Sequence, residues 1–374
     1  MKLRPIGQSA LAAALVLVAG TAWSGDAMRF YSIHPLVSDG ANPADHADAS
    51  LRNAWGIAFN PNGFVWVADN KTNTSTLYDG SGTKEPLGPF PEVHLPSATN
   101  GDAAPTGIVF NASADFVISQ GGASGAAAFM FAGENGTIMG WSPAVNLGNA
   151  FVAYDDKGGG AIYKGLALAQ NGQGNFLYAT DFHNGKIDTF DKTFTRVTLK
   201  GAFKDANIPQ GYAPFGIRSI DGNLYVTFAK QDSDREDDVP GVGFGFVDVF
   251  DANGSLIRRV ATRGRLNAPW GIALAPADFG RFSNRLLVSN FGDGTIDAFD
   301  PATGNFLGQL RATNGQVLKI DGLWGLSFGN GLSDQPTNSL FFTAGPGHEQ
   351  HGLYGRIDAA VSDGHDSRGE EGDE

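Results

Sequence analysis

The chain has 374 residues, 52 of them glycine, no cysteine, and a formal net charge of -13. Lack of cysteine excludes disulfides, thiolate metal sites, a cysteine nucleophile and a lipidated cysteine. The acidic balance argues against nucleic acid and anionic membrane as partners, since both call for a basic footprint.

In chain order, Met1-Lys2-Leu3-Arg4 is a basic start, and residues 10–22 form an apolar run too short for a comfortable membrane span. Residues 1–24 are therefore read as a signal peptide, and the mature protein is expected to be exported to the periplasm or beyond. There is no second apolar run, so no membrane insertion is expected. Residues 29–37 look like a strand that belongs to no repeat.

From there one phrase recurs six times: Ala54-Trp55-Gly56-Ile57, Pro105-Thr106-Gly107-Ile108, Tyr163-Lys164-Gly165-Leu166, Pro214-Phe215-Gly216-Ile217, Pro269-Trp270-Gly271-Ile272 and Leu323-Trp324-Gly325-Leu326. A spacing of roughly fifty residues is the range of propellers and solenoids. Each phrase leads to a second strand, at residues 64–68, 115–119, 176–180, 224–228, 286–289 and 340–343. A third strand follows and often ends in Asp with a Gly turn, as in Val249-Phe250-Asp251-Ala252-Asn253-Gly254, which is hairpin chemistry. Fourth strands are legible at 255–262 and 305–313. The sixth repeat lacks one, and the strand at 29–37 is expected to supply it, closing the ring and removing a sheet edge. The fold class is thus all-β, a six-bladed propeller of four-stranded antiparallel blades. The propeller is expected to span 25–361, with a solvated, disordered acidic tail at 362–374.

The Pro-x-Gly-Ile, Ala-Asp-x-x-Asn and Val-Phe-Asp-x-x-Gly elements resemble NHL-type six-bladed propellers over about residues 29–358. More narrowly, Thr72-Asn73-Thr74-Ser75-Thr76-Leu77-Tyr78, Ala229-Lys230-Gln231-Asp232, Asn290-Phe291-Gly292-Asp293-Gly294-Thr295-Ile296 and Phe342-Thr343-Ala344-Gly345-Pro346 resemble a family of exported bacterial propellers of unassigned function. Some of its members carry a C-terminal PEP-CTERM sorting segment, which this chain lacks.

The resemblance implies that the loops into the innermost strands and those between the second and third strands open on one face. Trp55, Thr106, Lys164, Phe215, Trp270 and Trp324 would then ring the channel mouth. Around them would stand Asp69 and Asn70, Gln120, Asp181 and His183, Lys230 and Asp232, Asn290 and Asp293, and His348, Glu349 and His351. The aromatic ring reads either as a stacking platform for a small molecule, glycan or protein ligand or as packing that plugs the channel. Lys164 reads either as a buried amine of lowered pKa, a base or anion anchor, or as half of a salt bridge to Asp155 or Asp156. The ligand-binding candidates are therefore Trp55, Lys164, Phe215, Trp270, Trp324, Asp181, His183 and Asn290.

His348-Glu349-Gln350-His351 lacks the i, i+4 spacing of helical zinc sites. A divalent metal (calcium, zinc or magnesium) on Asp69, Glu349 and His351 is the expectation to test. The acids of residues 232–238 read as a solvated loop, since they lack the glycine of an EF-hand. No nucleophile elbow, P-loop or dinucleotide fingerprint occurs. Two functions follow: an exported, monomeric binding module using one face of the ring, or a metal-dependent hydrolase or lyase at the central channel. Against the second, lactonase-type propellers need an acid at the start of an innermost strand, where this chain has Trp, Thr, Lys, Phe, Trp and Trp.

Overall fold

A computed structural model describes residues 29–361 apart from 100 and 157, so the expected signal peptide and acidic tail lie outside the described residues. The repeat phrases become the innermost strands of six blades of four antiparallel strands, the sixth extended by the short strand His46–Ala47, which pairs parallel with its N-terminal strand. The innermost strands are Ala54–Phe59, Pro105–Phe110, Tyr163–Gln170, Tyr212–Ile220, Pro269–Leu274 and Leu323–Phe328. Among the described residues the only helical segments are Gly280–Phe282 and Pro346–Glu349.

The repeat glycines mark where innermost strands crowd at the axis. A Cβ on Gly216 would overlap the Trp270 carbonyl of the next blade, and one on Gly271 would overlap that of Trp324. A hydroxyl on the second strand then stitches neighbours together. Thr180 Oγ1 donates to the Phe215 carbonyl at 2.6 Å, Ser289 Oγ to that of Trp324 at 2.7 Å, and Thr343 Oγ1 to that of Trp55. The last of these joins blade six back to blade one. The apolar cores lie between neighbouring blades; Trp66 and Leu77 of the first, for example, pack with Phe129 and Met139 of the second.

Ring closure is as the sequence predicts. Phe30–Ser38 pairs antiparallel with Leu353–Ala360 from Phe30 opposite Ala360 to Ser38 opposite Leu353, and supplies the outer strand of blade six. The same strand reaches into blade five. Tyr31 is fully buried, its hydroxyl donates to the Phe279 carbonyl at 3.1 Å and accepts from Phe282 N at 3.0 Å, and its own N–H donates to Arg311.

Blade two departs from the reading. Its second strand is Phe129–Gly133, and Val117–Gln120 pairs only with Ala123–Ala126 in an inserted two-stranded hairpin. Gln120 therefore sits near an exposed hairpin turn, and the place at the end of blade two's second strand belongs to Glu134.

Candidate functional site

The repeated aromatics do gather at the axis, as a packed plug rather than an open platform. Trp55, Phe215 and Trp324 are almost wholly buried and Trp270 is 8% exposed. Trp324 lies between two rings, stacked on Trp55 at 3.6 Å and on Phe291 at 3.8 Å between centroids. Trp270 and Phe215 meet Trp55 edge-on at 5.8 and 6.3 Å. Two of the three indole N–H groups are used: Trp270 Nε1 donates to the Lys164 carbonyl at 2.9 Å and Trp324 Nε1 to Asn53 Oδ1 at 3.2 Å, while Trp55 Nε1 is buried without a partner. Trp324 therefore has both ring faces covered, because the six innermost strands converge closely.

Lys164 rests against this plug with Nζ 5.3 Å from the Trp55 ring centroid. It is buried, yet its partners are not the aspartates nearby in sequence. Nζ donates to Glu134 and, at 2.8 Å, to Asp237. Burial pulls the amine's pKa down, but Glu134 and then Asp237 more than offset it, so Lys164 is held above the ordinary lysine value and stays charged. The expected lowering is corrected on that account.

A chain of amides runs sideways from this pair. Asn70 Nδ2 donates to Glu134 Oε2 at 2.8 Å, Asn53 Nδ2 to Asn70 Oδ1 at 3.1 Å, and Asn53 Nδ2 to Glu349 Oε2 at 2.7 Å. Glu349 is raised by burial, moderated by the Asn53 hydrogen bond and pushed further by Glu134. Asp238 is pushed up to about 7, first by burial, against the pull of Lys164 and with the push of Asp237 and Glu349, and its Oδ2 is buried without a partner. Four carboxylates thus converge on one ammonium.

The loop bearing Asp237 and Asp238 is tied down by its neighbours. Gln231 Nε2 donates to the Phe182 carbonyl at 2.6 Å, and Asp232 N to the Asp237 carbonyl at 2.9 Å. Between this loop and blade three lies a cavity of about 530 Å³ whose polar lining includes Glu134, Asn135, Lys164, His183, Glu236 and Asp237. His183 Nδ1 is buried there with no hydrogen-bond partner. Of the ligand candidates, Lys164 and His183 line this space.

The remaining rim candidates work within their own blades. Asp69 accepts from Thr74 and Thr76 at 3.2 Å each. Asn290 donates to Thr295 and Asp297 at 3.1 Å each. Asp181 accepts from Asn184 at 2.8 Å and pairs with Lys186 at 3.2 Å. Each therefore latches the second strand to the third across the intervening turn, and burial raises the carboxyls of Asp69 and Asp181. The three residues named for a metal each face other partners: Asp69 those threonines, Glu349 Asn53, and His351 Nδ1 meets Asp39 at 2.9 Å. Among the described residues no group of three or more His, Cys, Asp or Glu is placed to hold a metal ion.

Sequence reasoning missed Glu134, Asp237 and Asp238. The only signal near Glu134 was the Gly136-Thr137-Ile138 ending that it shares with Gly294-Thr295-Ile296, which does not single out Glu134 itself. For the loop acids there was none beyond their number, because it is loop folding that brings Asp237 across to blade three.

Comparison with known proteins bears on fold and kinship. The NHL repeat model matches residues 51–76. An uncharacterized protein of Acanthamoeba polyphaga mimivirus is 35% identical over 340 residues, 88% of this chain and 81% of that one. A structural genomics protein of unknown function from Bacteroides thetaiotaomicron superposes with a TM-score of 0.54 at 13% identity, over 88% of this chain and 76% of that one. A gluconolactonase from Xanthomonas campestris superposes with a TM-score of 0.50 at 14% identity, over 83% and 87%. At such identities the two solved structures speak for the fold alone.

Proposed function

The chain belongs to the same family of NHL-type propellers as the mimiviral protein, and from that premise we propose that it is a binding module whose ligand is a small organic cation. The observation that carries this is the cavity over Lys164. Its volume falls within the usual range for small-molecule sites. Glu134 and Asp237 already offset its single ammonium, and Glu236 adds a further carboxylate. A ligand bearing ammonium or guanidinium N–H groups would meet charge-assisted acceptors there, and an anion would meet repulsion.

Calorimetric titration of spermidine, arginine and glucosamine, set against neutral glucose and anionic citrate, tests the reading. Saturable binding of a cation that weakens with added salt and falls about tenfold in Asp237→Asn supports it. Preference for glucose or citrate, or equal affinity in the variant, would sink it.

A hydrolase or lyase is the second reading, favoured by the Asp238 carboxyl poised near neutrality beside Lys164 and by the unpartnered Nδ1 of His183. Its metal-dependent form asks for a donor set that the described residues do not assemble. Calcium, zinc or magnesium binding in the same titrations, with no organic cation binding, would favour that form. Export remains part of the proposal on the strength of residues 1–24, and the intact mass of the protein recovered from cells would show whether the chain begins at residue 25.

A further inference from the structure

The channel continues on the other side of the plug, where the repeat itself exposes an anomaly. Two residues after each repeat glycine stand Ala58, Val109, Ala167, Arg218, Ala273 and Ser327. Five blades present a small side chain there, and blade four presents a guanidinium. A cavity of about 220 Å³ lies along all six innermost strands at this level. Arg218 and Ser219 line it, with Trp270 of the plug, and no Asp, Glu or His is among its lining residues.

Arg218 crosses this space toward blade six, where Nη2 donates to Ser327 Oγ at 3.0 Å, the one hydrogen bond its guanidinium makes among the described residues. A guanidinium carries five N–H donors. Burial alone acts on its pKa, downward, with no charged neighbour to oppose it. Elsewhere in the protein cations withdrawn from solvent are answered: buried Lys164 by Glu134 and Asp237, and part-buried Arg259 by Asp205 and Asp248. Arg218 is part-buried, and a charge withdrawn from solvent without a counterion is costly to a fold, so the site is suited to receive an anion.

Geometry narrows the class. The fork of a guanidinium matches a carboxylate two bonds at a time. Apart from Arg218 and Ser219 the lining side chains are apolar, among them Phe59, Phe110, Leu168 and Leu326. The volume equals roughly seven waters at about 30 Å³ each, which admits a short-chain acid. We propose that this end of the channel binds a small monocarboxylate, its carboxylate on Arg218 beside Ser327 and its tail against the apolar walls. The assignment is independent of the pocket over Lys164, from which the plug separates it.

The test is calorimetric titration of the full chain with butyrate, its neutral counterpart butyramide, and inorganic phosphate. Butyrate should bind saturably, lose about tenfold to a hundredfold in affinity in Arg218→Met, and exceed both other probes. Absence of saturable butyrate binding, equal affinity for butyramide, tighter binding of phosphate, or an unchanged affinity in Arg218→Met each overturns the proposal. Arg218→Met removes an uncompensated charge and is expected to fold. Arg218→Lys keeps the charge and loses the fork, and serves if it does not: butyrate should weaken severalfold in that variant, and unchanged affinity there overturns the proposal as well.

Discussion

Trp270 is held by contacts on several sides at once: an edge-on meeting with Trp55, another with Trp324, and a hydrogen bond to the Lys164 backbone. Truncating it removes a large buried ring from a plug that cannot collapse, because the strands around it are already in backbone contact. Trp270→Ala is therefore expected to cost about 3–5 kcal/mol of stability, read as a lower denaturation midpoint at unchanged slope. A loss below about 1 kcal/mol would mean that the plug is loosely packed. Asp238 supplies the pH counterpart. Its folded pKa, near 7, lies above its unfolded value near 3.8, so between these limits the folded state binds the extra proton. Its contribution to stability is thus fully present below about pH 4 and is lost as pH rises toward 7. Asp238→Asn should remove that decline, so that the difference in stability between variant and wild type shifts in the variant's favour from pH 4 to pH 7. A difference independent of pH would mean that Asp238 titrates normally. The singular nature of Lys164 was legible in the sequence, since it is the one ammonium among the six repeat positions. Its partners were not, because Glu134 and Asp237 lie 30 and 73 residues away in the chain.

At the level of strands, what the sequence makes legible is what repeats. Five second strands were placed correctly; blade two failed because its 117–126 hairpin offers a decoy strand before the real one. Phe116 shows why the decoy persuades, since it is fully buried and packs against Phe194 of blade three at 5.3 Å, so its hydrophobic signal belongs to another core. The rim residues show a related effect of the repeat. Asp69 reaches residues five and seven further on, as Asn290 does, and that spacing follows from a second-to-third strand hairpin with no ligand required. Asp at the third-strand end was read correctly: Asp251 Oδ1 accepts from Asn253 N and Ser255 N at 2.9 and 2.8 Å, and Gly254 takes φ +79°. A polar side chain recurring at one place in every repeat is thus better read first as part of the repeat's own turn. The exceptions, Lys164 and Arg218, are where the repeat is broken, and both candidate sites fall on them.

A ring of blades differs from a row of blades in having no end, and here one strand makes the difference. In an open array each blade touches only its neighbours, so terminal blades can fray while the middle holds. In this molecule Phe30–Ser38 pairs along the whole of Leu353–Ala360, and Tyr31 inserts into the core between blades five and six. Removing residues 25–38 would bare the edge of blade six, empty the Tyr31 position and leave the Phe279 carbonyl and Phe282 N–H without their partner. Removing residues 362–374 touches none of these contacts. The first truncation is therefore expected to lower the melting temperature strongly and the second to leave it nearly unchanged. The shape of the transition should respond too. With the ring closed, indole fluorescence from the axial plug and far-ultraviolet circular dichroism from the strands should report one coincident transition. In the 25–38 deletion, blade six should come loose first, and Trp324 with it, so the fluorescence change would precede the loss of strand signal. Equal melting of the two truncations, or coincident transitions in both, would mean that the contacts among the inner strands hold the ring shut and that the outer strand only covers an edge.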